Sequence, residues 1–251
     1  MKLIAHRGYR KFFPENTFLA IEEAILEGAE YVEIDLQLSA DHEFVLYHDP
    51  ELNRVSGINA RVDSLDFSDL LLTPAYEPER LGNEFNDVCI TPFYQFVGLL
   101  SQHPGVTAFV EIKEDCLKQM GAATLAARLI EAVAEVSSQV VFISYAYSLI
   151  HEIKKQGFKR RGIILRSWNE VQSVELAKLQ PEVVFCNYKK VPQAGSLVLP
   201  FAKLALYEIA DPDLAHALCV RGAEYIETFE IAEMLNPSAF QIDQIAEEST
   251  D

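Results

Sequence analysis

Cysteine is scarce in this chain and never closely paired. Cys89, Cys116, Cys186 and Cys219 form no C-x-x-C unit and no zinc-type spacing, so buried free thiols are expected rather than a redox motif or thiolate metal site. Basic residues are outnumbered, 21 Lys and Arg against 38 Asp and Glu, for a formal net charge of −17. Such a surface repels nucleic-acid backbones and anionic lipid, so no nucleic acid partner and no stable membrane association are expected. Long apolar runs are missing as well. No stretch of 18 apolar residues could span a bilayer. Leu3-Ile4-Ala5 before His6-Arg7 is too short for a signal-peptide core. The expectation is a soluble, cytoplasmic protein. The sequence carries no signal for oligomeric state.

What is present is alternation. Short apolar runs at 2–6, 30–37, 107–112, 139–143, 161–165, 182–186, 202–207 and 223–227 alternate with amphipathic stretches. Eight strands with intervening helices in 251 residues match a single (β/α)₈ TIM-type barrel of α/β class over 1–251. Helices are expected at 17–27, capped by Asn16 and stopped at Gly28, and after Thr91-Pro92 as cap and first residue. Others are expected at 116–136, 146–156, 168–178 and 211–221. Residues 43–48 follow the second strand too closely for a parallel crossover, so they form a β-hairpin return turning near Asp41-His42. Pairing about that turn sets Asp35 opposite His48, on one face. His42 tolerates the left-handed backbone such a turn needs. The excursion at 51–90 shows little regular pattern beyond a short helix near 66–72, and is expected as an insertion over the barrel mouth.

Five clusters carry chemistry: His6-Arg7-Gly8, Pro14-Glu15-Asn16-Thr17, Glu33-Ile34-Asp35, His48-Asp49 and Glu111-Ile112-Lys113. Period-two alternation sends Val32, Ile34 and Leu36 to one face and Glu33, Asp35 and Gln37 to the other. Phe109, Glu111 and Lys113 likewise share a face. Taken singly, the first pattern fits a half-exposed edge strand and the second an internal ion pair. Together, acids turned into a barrel need compensation, and a cation supplies it. Three carboxylates, Glu33, Asp35 and Glu111, select a hard divalent cation, Mg²⁺ or Ca²⁺. His6 and His48 suit proton transfer. Arg7 and Lys113 suit phosphate oxygens, and Gly8 permits close backbone approach. Glu15 is a candidate for orienting Arg7, and Asn16 is a cap.

In order and spacing these clusters resemble the glycerophosphodiester phosphodiesterase family, densely from Ile4 to Arg54 and again from Ile90 to Lys113. The resemblance implies a β/α barrel that hydrolyses a small-molecule glycerophosphodiester to sn-glycerol 3-phosphate and an alcohol. It also implies that 51–90 covers the barrel mouth. Three places depart from the family pattern. His42 stands where the turn usually has Gly. Tyr207-Glu208-Ile209-Ala210 replaces the usual Trp-Thr-Val-Asn, and Glu227-Thr228-Phe229-Glu230 replaces Thr-Asp-x-Pro. The last two should shape the pocket, with Tyr207 in its wall, and so bear on which alcohol is released. Two alternatives stand beside hydrolysis. One is a phospholipase-type lyase on the same barrel, opposed by the acidic surface. The other is a non-catalytic phosphoester-binding barrel, opposed by the complete set of clusters. Which histidine is acid and which is base, and whether water attacks directly or through a cyclic intermediate, are both open.

Overall fold

The computed structural model describes residues 1–237; of the expected domain, 238–251 lie outside the described residues. Among the described residues, nine strands form one sheet. They are β1 (Lys2–His6), β2 (Tyr31–Leu38), β3 (Phe44–Leu46), β4 (Thr107–Ile112), β5 (Val140–Ile143), β6 (Gly162–Ile164), β7 (Val183–Asn187), β8 (Lys203–Tyr207) and β9 (Tyr225–Thr228). Eight run parallel in the order β5-β4-β2-β1-β9-β8-β7-β6. The ring is completed by a parallel bridge between Phe142 and Arg161, with Ile164 N–H donating to the Ser144 carbonyl at 3.0 Å. This is the expected TIM-type barrel.

Alternation decides which side chains go where. Val32, Ile34 and Leu36 face the helices and join the large apolar layer between sheet and helices. Ile4, Phe109, Val141, Ile164, Phe185 and Tyr225 fill the barrel interior. With that plug below, the polar inward residues of β2 and β4 lie toward the C-terminal ends of the strands, the end at which such barrels carry their active sites.

Local chemistry shifts several boundaries. Helix Phe18–Leu26 is capped by Thr17, whose hydroxyl accepts from Ala20 N–H, and not by Asn16. Thr91 does not cap the helix that follows it; its hydroxyl accepts from Phe18 N–H at the start of the first helix, and the next helix, Phe93–Gln102, starts after Pro92. The stretch 116–136 is not one helix but Glu114–Gln119, Ala122–Ala132 and a 3₁₀ turn, broken at Met120-Gly121 and again at Val133. The stretch 168–178 divides at Ser173, which caps Val174–Leu179 through its side chain. β3 pairs antiparallel with β2 as expected, and His42 has a left-handed φ of 66°. The register is one residue off: Leu36 lies opposite Leu46, so Asp35 meets Tyr47, whose N–H donates to the Asp35 carbonyl at 3.0 Å, and not His48.

Residues 51–90 hold helices Asn53–Ser56, Phe67–Leu70 and Pro78–Leu81 around an apolar cluster in which Leu52, Val55, Val62 and Leu70 join Val45 and Tyr47 of the hairpin return. No helix among the described residues is long and apolar enough to cross a membrane.

Candidate active site

Every strand end at the C-terminal mouth that carries a polar inward residue contributes to one cleft of about 270 Å³. His6, Arg7, Glu33, His48, Glu111 and Lys113 line its ionic half. Asp35 lies just beneath, 1% exposed, its two oxygens held from both sides. Arg7 Nε is 3.0 Å from Oδ2 and Lys113 Nζ is 2.5 Å from Oδ1. Carboxylate oxygens of Glu33, Asp35 and Glu111, one from each, lie within 4.8 Å of one another.

Arg7 reaches this place because the chain turns sharply after β1, with left-handed φ at Arg7 (59°) and Gly8 (81°). Gly8 does permit a close approach, but to the first helix. A Cβ there would stand 2.5 Å from the Ala20 carbonyl carbon. Glu15 orients Arg7, accepting from Nη1 at 2.9 Å while also holding Arg10 Nε at 2.6 Å and Arg54 Nη2 at 2.6 Å. Asn16 clamps Asp35: its Nδ2 donates to Oδ2 at 2.8 Å, and its Oδ1 accepts from Asp35 N–H at 3.0 Å.

His48 enters the cleft because the chain leaves β3 after Leu46, not through cross-strand pairing. Its Nδ1 lies 2.6 Å from Asp49 Oδ1, and Arg54 Nε donates to Asp49 Oδ2 at 2.7 Å. A continuous chain of polar contacts therefore runs from His48 through Asp49, Arg54 and Glu15 to Arg7. Glu77 anchors it from below, bound by Arg10 and Arg80 and accepting from Glu15 N–H at 2.9 Å. Residues 51–90 contribute no side chain to the cleft lining among the described residues, and touch the site through this chain.

The electrostatics follow from burial. Loss of water, then the nearby Asp35 and Glu227 carboxylates, push the Glu33 carboxyl well above the usual carboxylate range. Burial also opposes the charge on Asp35, but Lys113 and Arg7 outweigh it and hold Asp35 well below its ordinary value. Glu111 is raised by burial in spite of Lys113. Burial and the Arg7 charge together lower His6 well below its ordinary value, which favours the neutral ring.

Sequence reasoning placed the Glu227-Thr228-Phe229-Glu230 strand end in the pocket but did not single out Glu227 as a partner of His6. Glu227 is 3% exposed, with Oε2 at 3.9 Å from His6 Nδ1, while His6 Nε2 lies 3.8 Å from Glu33 Oε2. Its signal was the acid at the inward position of the last strand end. Phe229, from the same strand end, stacks on the His6 ring at 4.3 Å. Tyr207 does line the cleft, edge-on to His6, with its hydroxyl 3.0 Å from that of Tyr145.

A family model described as "Glycerophosphoryl diester phosphodiesterase family" matches residues 6–194. A Bacillus altitudinis protein named glycerophosphodiester phosphodiesterase is 29% identical over 120 residues, 48% of this chain and 48% of its own. Mouse glycerophosphodiester phosphodiesterase 1 is 37% identical over 111 residues, 44% of this chain and 33% of its own. The chain thus spans about half the length, or less, of the curated relatives it matches. Among solved structures, an Oleispira antarctica phosphodiesterase in complex with the product sn-glycerol-3-phosphate superposes with a TM-score of 0.79 at 21% identity, covering 94% of this chain and 95% of that one.

Proposed function

The chain belongs to the glycerophosphoryl diester phosphodiesterase family, and from that premise we propose that it hydrolyses a glycerophosphodiester to sn-glycerol 3-phosphate and an alcohol with the help of a divalent cation. The observation that carries this is the meeting of Glu33, Asp35 and Glu111 with two cations and two histidines in one cleft. The family relatives named for this activity and the neighbour holding its product support the substrate class.

The residues fit a cation. Three buried carboxylates converge, one of them raised well above its usual range by burial and then by its neighbouring carboxylates, so a positive ion there offsets both. Glu33, Asp35 and Glu111 would hold Mg²⁺ or Ca²⁺, which supplies charge neutralisation and polarisation at a phosphoryl oxygen. Arg7 and Lys113 bind and orient the phosphate, their positions set by Glu15, Asp35 and Glu111. Asp49 occupies Nδ1 of His48, leaving Nε2 to exchange a proton in the cleft. His6, kept neutral by its burial and wedged by Phe229, is the second proton carrier. The two divide the tasks of activating the nucleophile and protonating the departing alkoxide. Four unpaired thiols suit a cytoplasmic setting.

Glycerol 3-phosphate release from choline, ethanolamine, glycerol and inositol esters, before and after dialysis against EDTA, tests the proposal. Turnover should vanish on chelation and return with Mg²⁺ or Ca²⁺. Undiminished turnover in EDTA would remove the cation, and no release from any ester would remove the substrate class. Phosphorus NMR of the product separates hydrolysis from cyclising lyase chemistry.

A further inference from the structure

The half of the cleft opposite the ionic cluster is built differently. Tyr145, Asn187, Tyr207, Glu208 and Glu227 line it, with exposed Lys190 at the rim. Most of these are already engaged with one another. Asn187 Nδ2 donates to Glu208 Oε2 at 2.9 Å, and the two phenol oxygens are 3.0 Å apart. Glu227 is the exception. Its Oε1 is buried and has no hydrogen-bond partner, and its Oε2 is too far from His6 Nδ1, at 3.9 Å, for a hydrogen bond. A buried carboxylate oxygen without a donor is strongly unfavourable, so a donor arriving with a ligand is the natural completion.

Three kinds of donor could serve. A metal ion held by Glu33, Asp35 and Glu111 leaves Glu227 outside its set, since Glu227 groups with Glu33 and His6 instead. An ammonium group would meet a wall whose other carboxylate, Glu208, is already taken by Asn187. A hydroxyl fits best. In the Tyr145–Tyr207 pair one phenol donates to the other, which leaves the second proton free for an oxygen in the cleft. Parallel pairing puts Tyr207 beside Glu227 on adjacent strands, so an acceptor and a donor stand together. A hydroxyl both gives and takes, and a diol does so at two adjacent points.

We propose that Glu227, with the Tyr145–Tyr207 pair beside it, is the diol-binding element of the cleft: Glu227 Oε1 accepts from a hydroxyl of the substrate's glycerol moiety. This rests on the proposed phosphodiester hydrolysis and adds to it a specificity-determining residue from a strand end where the chain departs from the family pattern.

Calorimetric binding of sn-glycerol 3-phosphate and of propyl phosphate, which lacks both hydroxyls, isolates the contact in the presence of Mg²⁺. Wild-type protein should prefer glycerol 3-phosphate by about two- to tenfold, the scale of a buried hydrogen bond between uncharged groups, since burial and the neighbouring carboxylates push the Glu227 carboxyl well above the usual range. Glu227→Ala should bring that ratio close to one with propyl phosphate affinity unchanged. Glu227→Gln, whose amide oxygen still accepts, should keep most of the preference, and reports on the contact even where the alanine variant folds poorly. An unchanged ratio in Glu227→Ala, or no preference in the wild type, overturns the proposal. So does an equal loss for both ligands, which marks a structural role. A fall in Mg²⁺ affinity as large as that of Glu33→Gln would make Glu227 a metal ligand and overturn it also. Absence of turnover on every diester would remove the hydrolytic function instead, and the binding ratio would still decide the role of Glu227.

Discussion

Replacing Glu15 by Gln should unsettle the molecule far more than its distance from the cleft lining suggests. The carboxylate is 2% exposed and takes hydrogen bonds from Arg7, Arg10 and Arg54 at 2.6–2.9 Å. Gln keeps the shape but removes the charge and turns an amide N–H₂ toward a guanidinium. Removing one partner of a buried pair typically destabilises by about 3–5 kcal/mol. Arg10 and Arg54 reach water and can be rehydrated, whereas Arg7 keeps only Asp35. The low end, about 3 kcal/mol, is therefore expected, a fall in Tm of about 6–12 °C for a chain of this size. The sign with pH follows from the depressed carboxyl. Burial opposes its charge, but Arg7 and Arg54 dominate and hold Glu15 well below its ordinary value. Its contribution is therefore complete above the unfolded value of about 4.3 and fades as pH falls below that, toward the folded value. Thermal melts of both proteins across pH 3–8 should show a constant gap above about pH 5 that narrows below about pH 4.3. A gap under 1 kcal/mol at pH 7, or one that widens in acid, would refute the reasoning.

Gly8→Ala combines a left-handed φ with a Cβ 2.5 Å from helix backbone, so it should destabilise by about 2–6 kcal/mol in urea unfolding, and a loss below 1 kcal/mol would show that the helix can retreat. Alanine at His6 or His48 should each lower kcat by about 10²–10⁴, with Asp49→Asn giving a smaller loss through His48. A nitrophenyl leaving group should rescue only the variant lacking the general acid, and equal rescue of both would show that the histidines do not divide the roles.

Periodicity was enough to read the barrel. Alternation in 31–38 separates Val32, Ile34 and Leu36 from Glu33, Asp35 and Gln37 whatever the partner strands are, because side chains on a strand alternate sides by covalent geometry. The same rule placed Glu111 and Lys113 on one face of β4, and short separation alone fixed the antiparallel return to β3. Helix ends were less legible. Thr17 and Asn16 are both good caps, and the choice fell to Thr17 because Asp35 offered the Asn16 amide better partners from nineteen residues away. The hairpin register slipped by one because a turn of a few residues can close in more than one way, so His48 meets the cleft from a loop.

What only the tertiary structure decided is which charges meet. Glu15 was legible as a partner for Arg7, but nothing in the sequence says that Arg54 and Glu77 hold Glu15 in turn from separated segments. Glu227 lies 194 residues from Glu33, and its strand end reads as a pocket wall with no named partner until barrel closure sets β9 beside β1. Local propensity and period act over a few residues, whereas electrostatic partners are chosen by how the strands close. The chain's own order therefore gives the elements and the inward faces, and only the closed ring gives the burial that makes those acids and arginines depend on one another.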